Sequence, residues 1–375
     1  RTIAQAPFGT TFVDRVVRTF RLACATIDAL VGDDDGHSRG LFSAANLERM
    51  SSAAPGTLQK VPLSDRIKAF EQLGELFALW GTSTPWPGHG CGLNKPEYDA
   101  FEAVVIEAQA RNAWFTDDNV RHMLRSLAEM LDHGALHAWL KHYQSDNATP
   151  VRTVGVITAG NIPLVGFHDL ACVLLSGHRA ELKPSSDDAG LLAAVLEVLR
   201  LLAPDLAAQA TIVEGRLAGV DALIATGSDN TARYFEHYFG HLPRIVRKNR
   251  TSVAVLDGSE TEEELLALGE DLFRYFGLGC RNVGKLHIPH DFDLDRLFKA
   301  IFKWGHLAKH NKWANNYDYH KAIWLMDRVP LLENGFVLLK EDAGLHSPLG
   351  SIYYERYTDR SQVISSLATL ESKLQ

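Results

Sequence analysis

Apolar residues follow two different periods along the chain. Over the first 145 residues they recur every three or four positions, which is typical of helices with one buried face. The clearest run comprises Ile67, Phe70, Leu73 and Phe77. From about residue 151, short β-branched runs alternate with longer apolar stretches, which is the pattern of alternating strands and helices. The chain is therefore predicted to begin as a helical region and to continue as an α/β protein.

The α/β part begins with short strands that alternate with helices. Strands are predicted at residues 151–158, 178–182, 210–213 and 222–225, and the first helix is predicted to begin at Pro163. Such a succession predicts a parallel sheet with right-handed crossovers. Ligands of these sheets bind at the carboxyl ends of the strands.

A second α/β unit is predicted from about residue 251. It begins with a strand at residues 252–256 and an amphipathic helix at residues 262–276. Later elements are a helix through Leu297 and Trp304, strands at residues 322–326 and 336–340, and a helix at residues 362–374. Residues 351–357 alternate as a strand does, so they either return to the first unit or form an arm.

One cysteine lies in a loop that is rich in glycine. Cys280 stands between Gly279 and Arg281, and Gly277 and Gly284 lie on either side. Glycines let a ligand approach the backbone and leave N–H groups free to donate. A neighbouring arginine favours the thiolate, which is the nucleophilic form of the thiol. A buried structural cysteine is the plainer interpretation of the same loop, and these residues alone leave both open.

The composition limits the classes of protein that remain. Hydrophobic residues make up 46% of the chain and charged residues 22%, which is ordinary for a globular protein with a large core. The net charge of −8 argues against a nucleic-acid binder, because phosphate contacts need a basic surface. No apolar run reaches the length of a membrane span, and no signal peptide is visible.

The cysteines and histidines add two expectations. The four cysteines contain no CxxC pair, so we expect a reduced, cytoplasmic protein without a disulfide framework. They are Cys24, Cys91, Cys172 and Cys280. Two pairs of histidines have the local spacing of metal ligands, but neither has an evident third ligand, so we expect no metal site. The pairs are His287 with His290 and His306 with His310.

Three polar motifs follow predicted strands of the first unit. The dinucleotide fingerprint GxGxxG is absent after the first strand. The motifs that stand at the strand ends instead are Asn161-Ile162-Pro163-Leu164, Lys183-Pro184-Ser185 and Thr226-Gly227-Ser228. Taken singly, each has a plain structural explanation, since Asn161 and Ser228 would also serve as helix caps.

Together with the Cys280 loop, these motifs resemble the ordered motifs of the aldehyde dehydrogenase superfamily. Within that superfamily, the chain is most similar to the acyl-CoA reductases related to LuxC, the fatty-acid reductase of bacterial luminescence. The segments that carry this closer likeness are residues 247–255, 279–283, 315–322 and 334–342. The resemblance covers roughly residues 100 to 360.

The resemblance implies an α/β, aldehyde dehydrogenase-like fold of three parts. Residues 1–145 would form a helical N-terminal region packed on a Rossmann-type nucleotide-binding domain. That domain would cover residues 146–250 and receive residues 346–375 as a return segment. A smaller α/β catalytic domain would cover residues 251–345 and carry Cys280.

The resemblance also implies a role for each motif. Cys280 would attack an acyl thioester and form a covalent acyl-enzyme, while the Asn161 amide and the Cys280 N–H stabilise the oxyanion. A nicotinamide cofactor would then deliver hydride, and an aldehyde would leave. The implied cofactor-binding residues are Thr158, Ala159, Gly160, Lys183, Ser185, Ser186, Thr226, Gly227, Ser228 and Glu341. Glu341 matches loosely, because it stands upstream of the family's glutamate position.

Two departures from the superfamily sharpen this expectation. Aldehyde-oxidising members carry a glutamate base in the segment that here is residues 247–250, and no carboxylate stands there. The acyl-enzyme should therefore resist hydrolysis and wait for hydride, unless Glu341 or a histidine supplies a base. Where members often carry a glutamate for the adenosine ribose, this chain has Ser186. Ser186, together with Lys183 and Ser185, could bind the 2′-phosphate of NADPH. We therefore expect NADPH rather than NADH as the cofactor.

The expected function is therefore NADPH-dependent reduction of acyl-CoA, or of another acyl thioester, to an aldehyde by a homo-oligomer. Two alternatives stay open. The first is an aldehyde dehydrogenase that makes free acid, which would act on an aldehyde and NADP without coenzyme A. The second is a non-redox acyl carrier or scaffold subunit, which would bind no nicotinamide cofactor.

Overall fold

The computed structural model describes residues 60–141 and 150–375, so Cys24 and the helices predicted before residue 60 lie outside the described residues. The described chain is helical before its first strand, as predicted. The helices are α1 (Leu63–Gly81), α2 (Lys95–Arg111), α3 (Asp117–Met130) and α4 (His133–Leu140), with a short 3-10 turn at His89–Cys91. No helix in the described ranges is long and apolar enough to cross a membrane.

The first sheet has five parallel strands in the order β3-β2-β1-β4-β5. The strands are β1 (Thr153–Ile157), β2 (Arg179–Lys183), β3 (Ala210–Ile212), β4 (Ala222–Thr226) and β5 (Arg244–Arg247). The helices among them are α5 (Phe167–Leu175), α6 (Leu191–Leu202), α7 (Pro204–Ala207) and α8 (Asp229–Phe239). The predicted parallel sheet is confirmed. Its strand order reverses between β1 and β4, which is where such sheets bind ligands.

The N-terminal helices share a core with this first sheet. The buried face of α1 holds Phe70, Leu73 and Phe77, which the helical period predicts. Phe70 and Phe77 contact Phe167 of α5, with ring centroids 6.2 and 5.3 Å apart. Burying an aromatic side chain of this size stabilises the packing by about 2 to 3 kcal/mol. The helices therefore fix the position of α5, which begins beside the Asn161 turn.

The second sheet has the order β6-β7-β10-β9-β8, and only the pairing of β8 with β9 is antiparallel in the described chain. The strands are β6 (Ser252–Val255), β7 (Val283–Pro289), β8 (Leu331–Glu333), β9 (Leu338–Glu341) and β10 (Ser351–Tyr357). The helices are α9 (Glu262–Phe273), α10 (Leu294–Ile301), α11 (Asn311–Met326) and α12 (Arg360–Ala368). This sheet has its own buried core.

The predicted return of residues 346–375 to the first sheet is wrong. Strand β10 lies between β7 and β9 and runs parallel to both, with Tyr353 opposite Lys285 and Ser351 opposite Leu338. The alternation of side chains identifies a strand, but it does not identify the neighbours that the strand will pair with. Residues 351–357 therefore complete the second sheet.

The strand predicted at residues 322–326 is also wrong, because this segment is the last part of α11. A short apolar run does not distinguish a buried strand from a buried helix. The buried residues of α11 are Trp313, Tyr317 and Trp324, and their spacing of about one and two helical turns places them on one face.

The helix predicted from Pro163 begins later, at Phe167. Leu164 has a left-handed conformation with φ of 50°, which ends any regular helix at that point. Gly166 approaches Thr158 so closely that a Cβ at this position would lie 2.7 Å from the Thr158 Cβ. The segment between β1 and α5 is therefore a tight turn, and Asn161 lies in it.

Candidate active site

Cys280 lies in the loop between α9 and β7, and it is exposed. The other two described cysteines are less accessible, since Cys91 is partly buried and Cys172 is fully buried. A thiol must reach its substrate to act as a nucleophile. The accessibility of Cys280 therefore favours the chemical interpretation of this cysteine over the structural one.

The chain enters the Cys280 loop through a left-handed turn. Tyr275 and Phe276 have φ of 55° and 57°, and Gly277 follows with φ of 69°. The left-handed conformation costs a residue with a side chain about 1 to 2 kcal/mol of conformational energy. Contacts with the rest of the protein must therefore hold the turn in place.

Helix α3 supplies those contacts. The Tyr275 N–H donates to Oδ1 of Asn119 over 3.4 Å, and the Tyr275 hydroxyl lies 3.0 Å from Nδ1 of His122. Arg274 forms an ion pair with Asp118 at 2.5 Å. Burial lowers the pKa of His122 to about 4, so its imidazole is neutral around pH 7. The helical region thus fixes the entrance to the Cys280 loop.

Asn282 holds the loop from the other side of Cys280. Its Oδ1 accepts a hydrogen bond from the Gly279 N–H at 2.9 Å. Its Nδ2 donates to the carbonyl oxygens of Asp271 and Arg274 at 2.9 and 3.0 Å. A Cβ at Gly279 would lie 2.8 Å from the Asn282 Oδ1, which explains why glycine precedes the cysteine. Sequence reasoning named Asn282 only as part of a motif and missed this role.

Asn161 reaches the same loop from the first sheet. Its Nδ2 donates to the Leu278 carbonyl oxygen over 2.7 Å. Helix α5 has no side-chain cap, so Asn161 does not serve as the helix cap that its sequence position also allowed. The two residues proposed for catalysis, Asn161 and Cys280, therefore belong to loops that are in direct contact.

Two further residues line the start of β7, and sequence reasoning singled out neither. Ser252 donates from its hydroxyl to the Cys280 carbonyl oxygen at 3.3 Å. His346 has its Nδ1 3.5 Å from the Thr251 hydroxyl, and a Cβ at Gly284 would lie 3.3 Å from the same nitrogen. Burial lowers the pKa of His346, so the imidazole is neutral and able to accept a proton.

A buried ion pair occupies the segment in which the superfamily carries its glutamate base. Arg247 ends β5, and its Nη1 lies 2.6 and 2.8 Å from the carboxylate oxygens of Asp169, which is 3% exposed. Burial alone would raise the pKa of Asp169, but Arg247 and His168 outweigh burial and hold it well below its usual range. The charge of Asp169 raises the pKa of Arg247. An arginine that is already paired with Asp169 therefore stands in this segment.

The turns after β1 and β2 meet at the carboxyl edge of the first sheet. The Thr158 N–H donates to the Lys183 carbonyl oxygen at 3.2 Å, and a Cβ at Gly160 would lie 2.8 Å from the Ser185 hydroxyl oxygen. Ala159 lies between them. The Thr158 hydroxyl is buried and has no hydrogen-bond partner among the described residues. An orphaned hydroxyl of this kind is a group that a bound ligand could satisfy, and the turn lies at the edge where parallel sheets bind ligands.

The third predicted cofactor loop lies next to these turns. Thr226 ends β4, and the Gly227 N–H donates to the Arg247 carbonyl oxygen at 3.1 Å. The Ser228 hydroxyl accepts a hydrogen bond from the Thr231 N–H at 3.3 Å, so it caps α8. The backbone of this loop, at the positive end of the helix, is the part suited to a phosphate.

The residues proposed for the adenosine side carry mixed charge. The Lys183 Nζ donates to the Gly215 carbonyl oxygen at 2.7 Å, and Ser186 is exposed. Asp187 is exposed as well, and its Cβ would lie 2.8 Å from a Cβ at Gly160. The sequence analysis did not consider this carboxylate. Its negative charge opposes the binding of a 2′-phosphate at this loop.

Glu341 does not join the other predicted site residues. It is exposed at the end of β9. It pairs with Tyr354 of β10, and Tyr354 pairs with Leu286, which lies well inside β7. Cys280 precedes the first residue of β7. Glu341 therefore lies two strands away across the sheet and several residues further along the strand direction. His346, rather than Glu341, is the residue that the following loop brings to the start of β7.

Asp188 is a buried carboxylate beside the loop that carries Ser186, and it makes stability depend on pH. It is 4% exposed, it accepts a hydrogen bond from the Leu192 N–H at 2.9 Å, and burial raises its pKa from 3.8 to about 6. The stability it contributes is present below pH 3.8 and is lost as the pH rises through 6. Asp188→Asn should therefore raise the free energy of unfolding by roughly 3 kcal/mol at pH 7.5 and by much less at pH 4.

Thermal unfolding of both proteins at the two pH values measures this difference. Asp187→Asn is the matched control, because Asp187 is the exposed neighbour. It should leave the melting temperature nearly unchanged at both pH values. An equal gain for Asp188→Asn at pH 4 and pH 7.5 would contradict the assignment, since a buried charge acts only where it is ionised.

Several solved structures that resemble this chain are aldehyde dehydrogenases. The NAD-dependent aldehyde dehydrogenase from Sinorhizobium meliloti gives a TM-score of 0.60 at 12% identity, over 93% of this chain and 72% of that chain. Indole-3-acetaldehyde dehydrogenase AldA of P. syringae, solved with NAD+, gives 0.59 at 13% identity, over 94% and 73%. Aldehyde dehydrogenase 21 from Physcomitrella patens gives 0.59 at 11% identity, over 87% and 76%. The chain has the α/β fold of the aldehyde dehydrogenases, as predicted.

A profile of the acyl-CoA reductase (LuxC) family matches residues 93–280, which is just over half of the chain. The match includes Asn161 and ends at Cys280. The chain belongs to the acyl-CoA reductase (LuxC) family, and it is an oxidoreductase of the aldehyde dehydrogenase and LuxC type. The resemblance found in the sequence is thereby confirmed. None of the curated proteins compared with the chain matches it.

Proposed function

We propose that this chain reduces an acyl thioester, with acyl-CoA as the substrate, to an aldehyde through an acyl-Cys280 intermediate. The observation that carries the proposal is the 2.7 Å hydrogen bond from Asn161 to the Leu278 carbonyl oxygen. It places a side-chain amide next to the loop of an exposed thiol, which is the arrangement needed to form and stabilise an oxyanion. Membership of the acyl-CoA reductase family supports a thioester as the substrate.

The residues of the chain act in the following order. The Cys280 sulfur attacks the thioester carbonyl carbon, and the carbonyl oxygen takes up negative charge, which the Asn161 amide and the Cys280 N–H stabilise. Collapse of this intermediate breaks the bond to coenzyme A, whose thiolate takes a proton, and leaves the acyl group on Cys280. The nicotinamide, when bound at the Thr158 and Gly227 loops, supplies the hydride for reduction. Once the acyl carbon has taken up hydride, its bond to the Cys280 sulfur breaks, the aldehyde leaves, and the Cys280 thiolate takes a proton from water.

The ion pair at Arg247 supports reduction over hydrolysis. A base that activates water needs a pKa near the working pH, and the lowered pKa of Asp169 makes its carboxylate a weak base. Arg247 itself is a cation, and Glu341 lies away from the Cys280 loop. None of these three residues is suited to activate water, which supports an acyl-enzyme that waits for hydride.

One observation favours the alternative, an aldehyde dehydrogenase that releases free acid. His346 lies beside the first residues of β7 and is neutral, because burial lowers its pKa. A neutral imidazole is able to take a proton from water. The products formed by the purified protein decide between the two reactions.

We propose NADPH as the cofactor, since Lys183 and Ser186 offer a cation and a hydroxyl to a 2′-phosphate at the end of β2. Asp187 is the opposing charge on the same loop. Comparison of kcat/KM for NADPH and NADH tests this choice, and a higher value for NADH would overturn it.

The proposed reaction is tested by the products. With acyl-CoA and NADPH, we expect aldehyde and free coenzyme A in equal amounts, because each turnover transfers one acyl group through Cys280. With aldehyde and NADP+ but no coenzyme A, we expect no acid. Acid formation in that second assay would establish the alternative reaction. If a titration shows no binding of either nicotinamide cofactor, the chain is instead a carrier or scaffold subunit.

A further inference from the structure

Three side chains with metal-binding atoms meet on the N-terminal helices, outside the Cys280 loop. His133 and His137 lie one turn apart on α4, and Glu71 lies on α1. The Glu71 Oε1 lies 2.7 Å from Nδ1 of His133 and 3.4 Å from Nε2 of His137. One ligand atom from each residue lies within 4.8 Å of the other two. Two imidazoles and a carboxylate thus converge on one point.

The backbone fixes this arrangement. Helix α1 approaches the end of α3 closely, since a Cβ at Gly74 would lie 2.8 Å from the Leu131 Cβ. Asp132 then begins α4 at once, because its carboxylate accepts hydrogen bonds from the N–H groups of Gly134 and Ala135 at 2.9 and 3.2 Å. The distance between Glu71 and the histidines of α4 therefore follows from tight helix packing. Only the Glu71 and His133 ligand atoms, 2.7 Å apart, must separate to admit an ion.

The surroundings favour a cation. A groove of about 680 Å³ is lined by two of the three side chains, Glu71 and His133. Its acidic lining residues are Glu71, Glu75, Glu129 and Asp132. The negative charge attracts cations, and the open groove leaves room for water as a further ligand. His133 and His137 are both exposed, so an ion reaches them directly from solvent.

We propose that Glu71, His133 and His137 bind a divalent transition-metal ion, and that Zn²⁺ matches the site best. Imidazole nitrogen with carboxylate oxygen is a donor set that zinc prefers, and histidines four residues apart on a helix present both rings to one ion. Tetrahedral zinc with bonds of about 2.0 to 2.1 Å separates its ligand atoms by about 3.4 Å. The separation of Glu71 from His137 already has that value. The ion would join α4 to α1.

Local sequence spacing could not reveal this site. The histidine pairs weighed from the sequence were His287 with His290 and His306 with His310, and no described carboxylate or thiol completes either one. The third ligand of the proposed site comes from Glu71, which is 62 residues before His133. Only the packing of α1 against the end of α3, which α4 directly follows, brings them together.

A zinc titration of the chelator-treated full chain against a chromophoric zinc indicator tests the proposal. We expect one zinc ion per chain, and we expect His137→Ala and Glu71→Gln each to weaken binding by at least about tenfold, because each removes a ligand. A hundredfold excess of zinc over Kd should raise the melting temperature of the unsubstituted chain by about 3 to 6 °C. The same excess should leave that of His137→Ala unchanged.

Two control variants separate this site from adventitious binding. His237→Ala combined with His241→Ala removes two exposed histidines of the same spacing that have no third ligand in the described chain. Cys280→Ser removes the exposed thiol. Both variants should bind zinc as tightly as the unsubstituted chain. Unchanged binding in His137→Ala, loss of binding in a control, or equal binding of Mg²⁺, which would indicate only an acidic groove, would each overturn the proposal.

Discussion

Replacement of Cys280 by alanine should abolish both acylation of the chain by acyl-CoA and formation of aldehyde. The proposed reaction passes through a bond to the Cys280 sulfur, and no other described cysteine is as exposed. Intact-protein mass spectrometry after mixing with acyl-CoA measures the first effect. Aldehyde formed with NADPH measures the second.

Cys91→Ala is the matched control, because Cys91 is the partly buried thiol, and its sulfur donates to the Leu93 carbonyl oxygen at 3.7 Å, away from the Cys280 loop. This variant should retain both labelling and turnover. Aldehyde formation by the Cys280→Ala protein would show that the acyl group travels by another route, and the assignment of the nucleophile would then be wrong.

Replacement of Asn161 by alanine should lower kcat by about 10²- to 10³-fold, which is the effect of removing one principal oxyanion donor. Asn161 also ties its turn to the Leu278 carbonyl, so a loss of activity alone does not separate the two roles. Alkylation of Cys280 by iodoacetamide needs a placed thiol but forms no oxyanion. We therefore expect the rate of acylation to fall while the rate of alkylation stays nearly constant.

Asn112→Ala provides the control for Asn161. Asn112 donates from its side-chain amide to the carbonyl oxygens of Asp187 and Gly160 at 2.9 and 3.5 Å, so it holds the turns after β2 and β1 without a bond to the thiol loop. Its replacement should leave the acylation rate of Cys280 within a few-fold of the original. If Asn161→Ala slows alkylation and acylation equally, Asn161 positions the loop. An unchanged kcat would remove it from the reaction altogether.

The first sheet could be predicted from the sequence because short stretches of the chain are enough to indicate each of its strands and helices. Each short β-branched run is followed by an apolar helical stretch, and a succession of such units permits few arrangements other than a parallel sheet. The second sheet was harder to predict. Strand β10 shows the alternation of a strand, but only the fold reveals that it pairs with β7 and β9. Residues 322–326 were misassigned because the short apolar run also fits a helix.

The candidate site could also be predicted only in part. The resemblance of motifs pointed to Cys280 and Asn161, and their loops meet where Asn161 donates to Leu278, 117 residues further along the chain. The supporting residues could not be found by that route, since their contacts depend on the fold. Asn119 reaches Tyr275 over a separation of 156 residues, and Arg247 reaches Asp169 over 78. Polar residues of this kind acquire a role only when packing buries them and supplies a partner.

The central claim is that the acyl group on Cys280 waits for hydride rather than water, and a single-turnover chase tests it most directly. The protein is mixed with a substoichiometric amount of acyl-CoA and no nicotinamide, and the acyl group is followed by mass spectrometry. We predict that the acyl-Cys280 adduct persists until NADPH is added, and that it then disappears as aldehyde forms in equal amount. Appearance of free acid before NADPH is added, at a rate comparable to acylation, would contradict the claim.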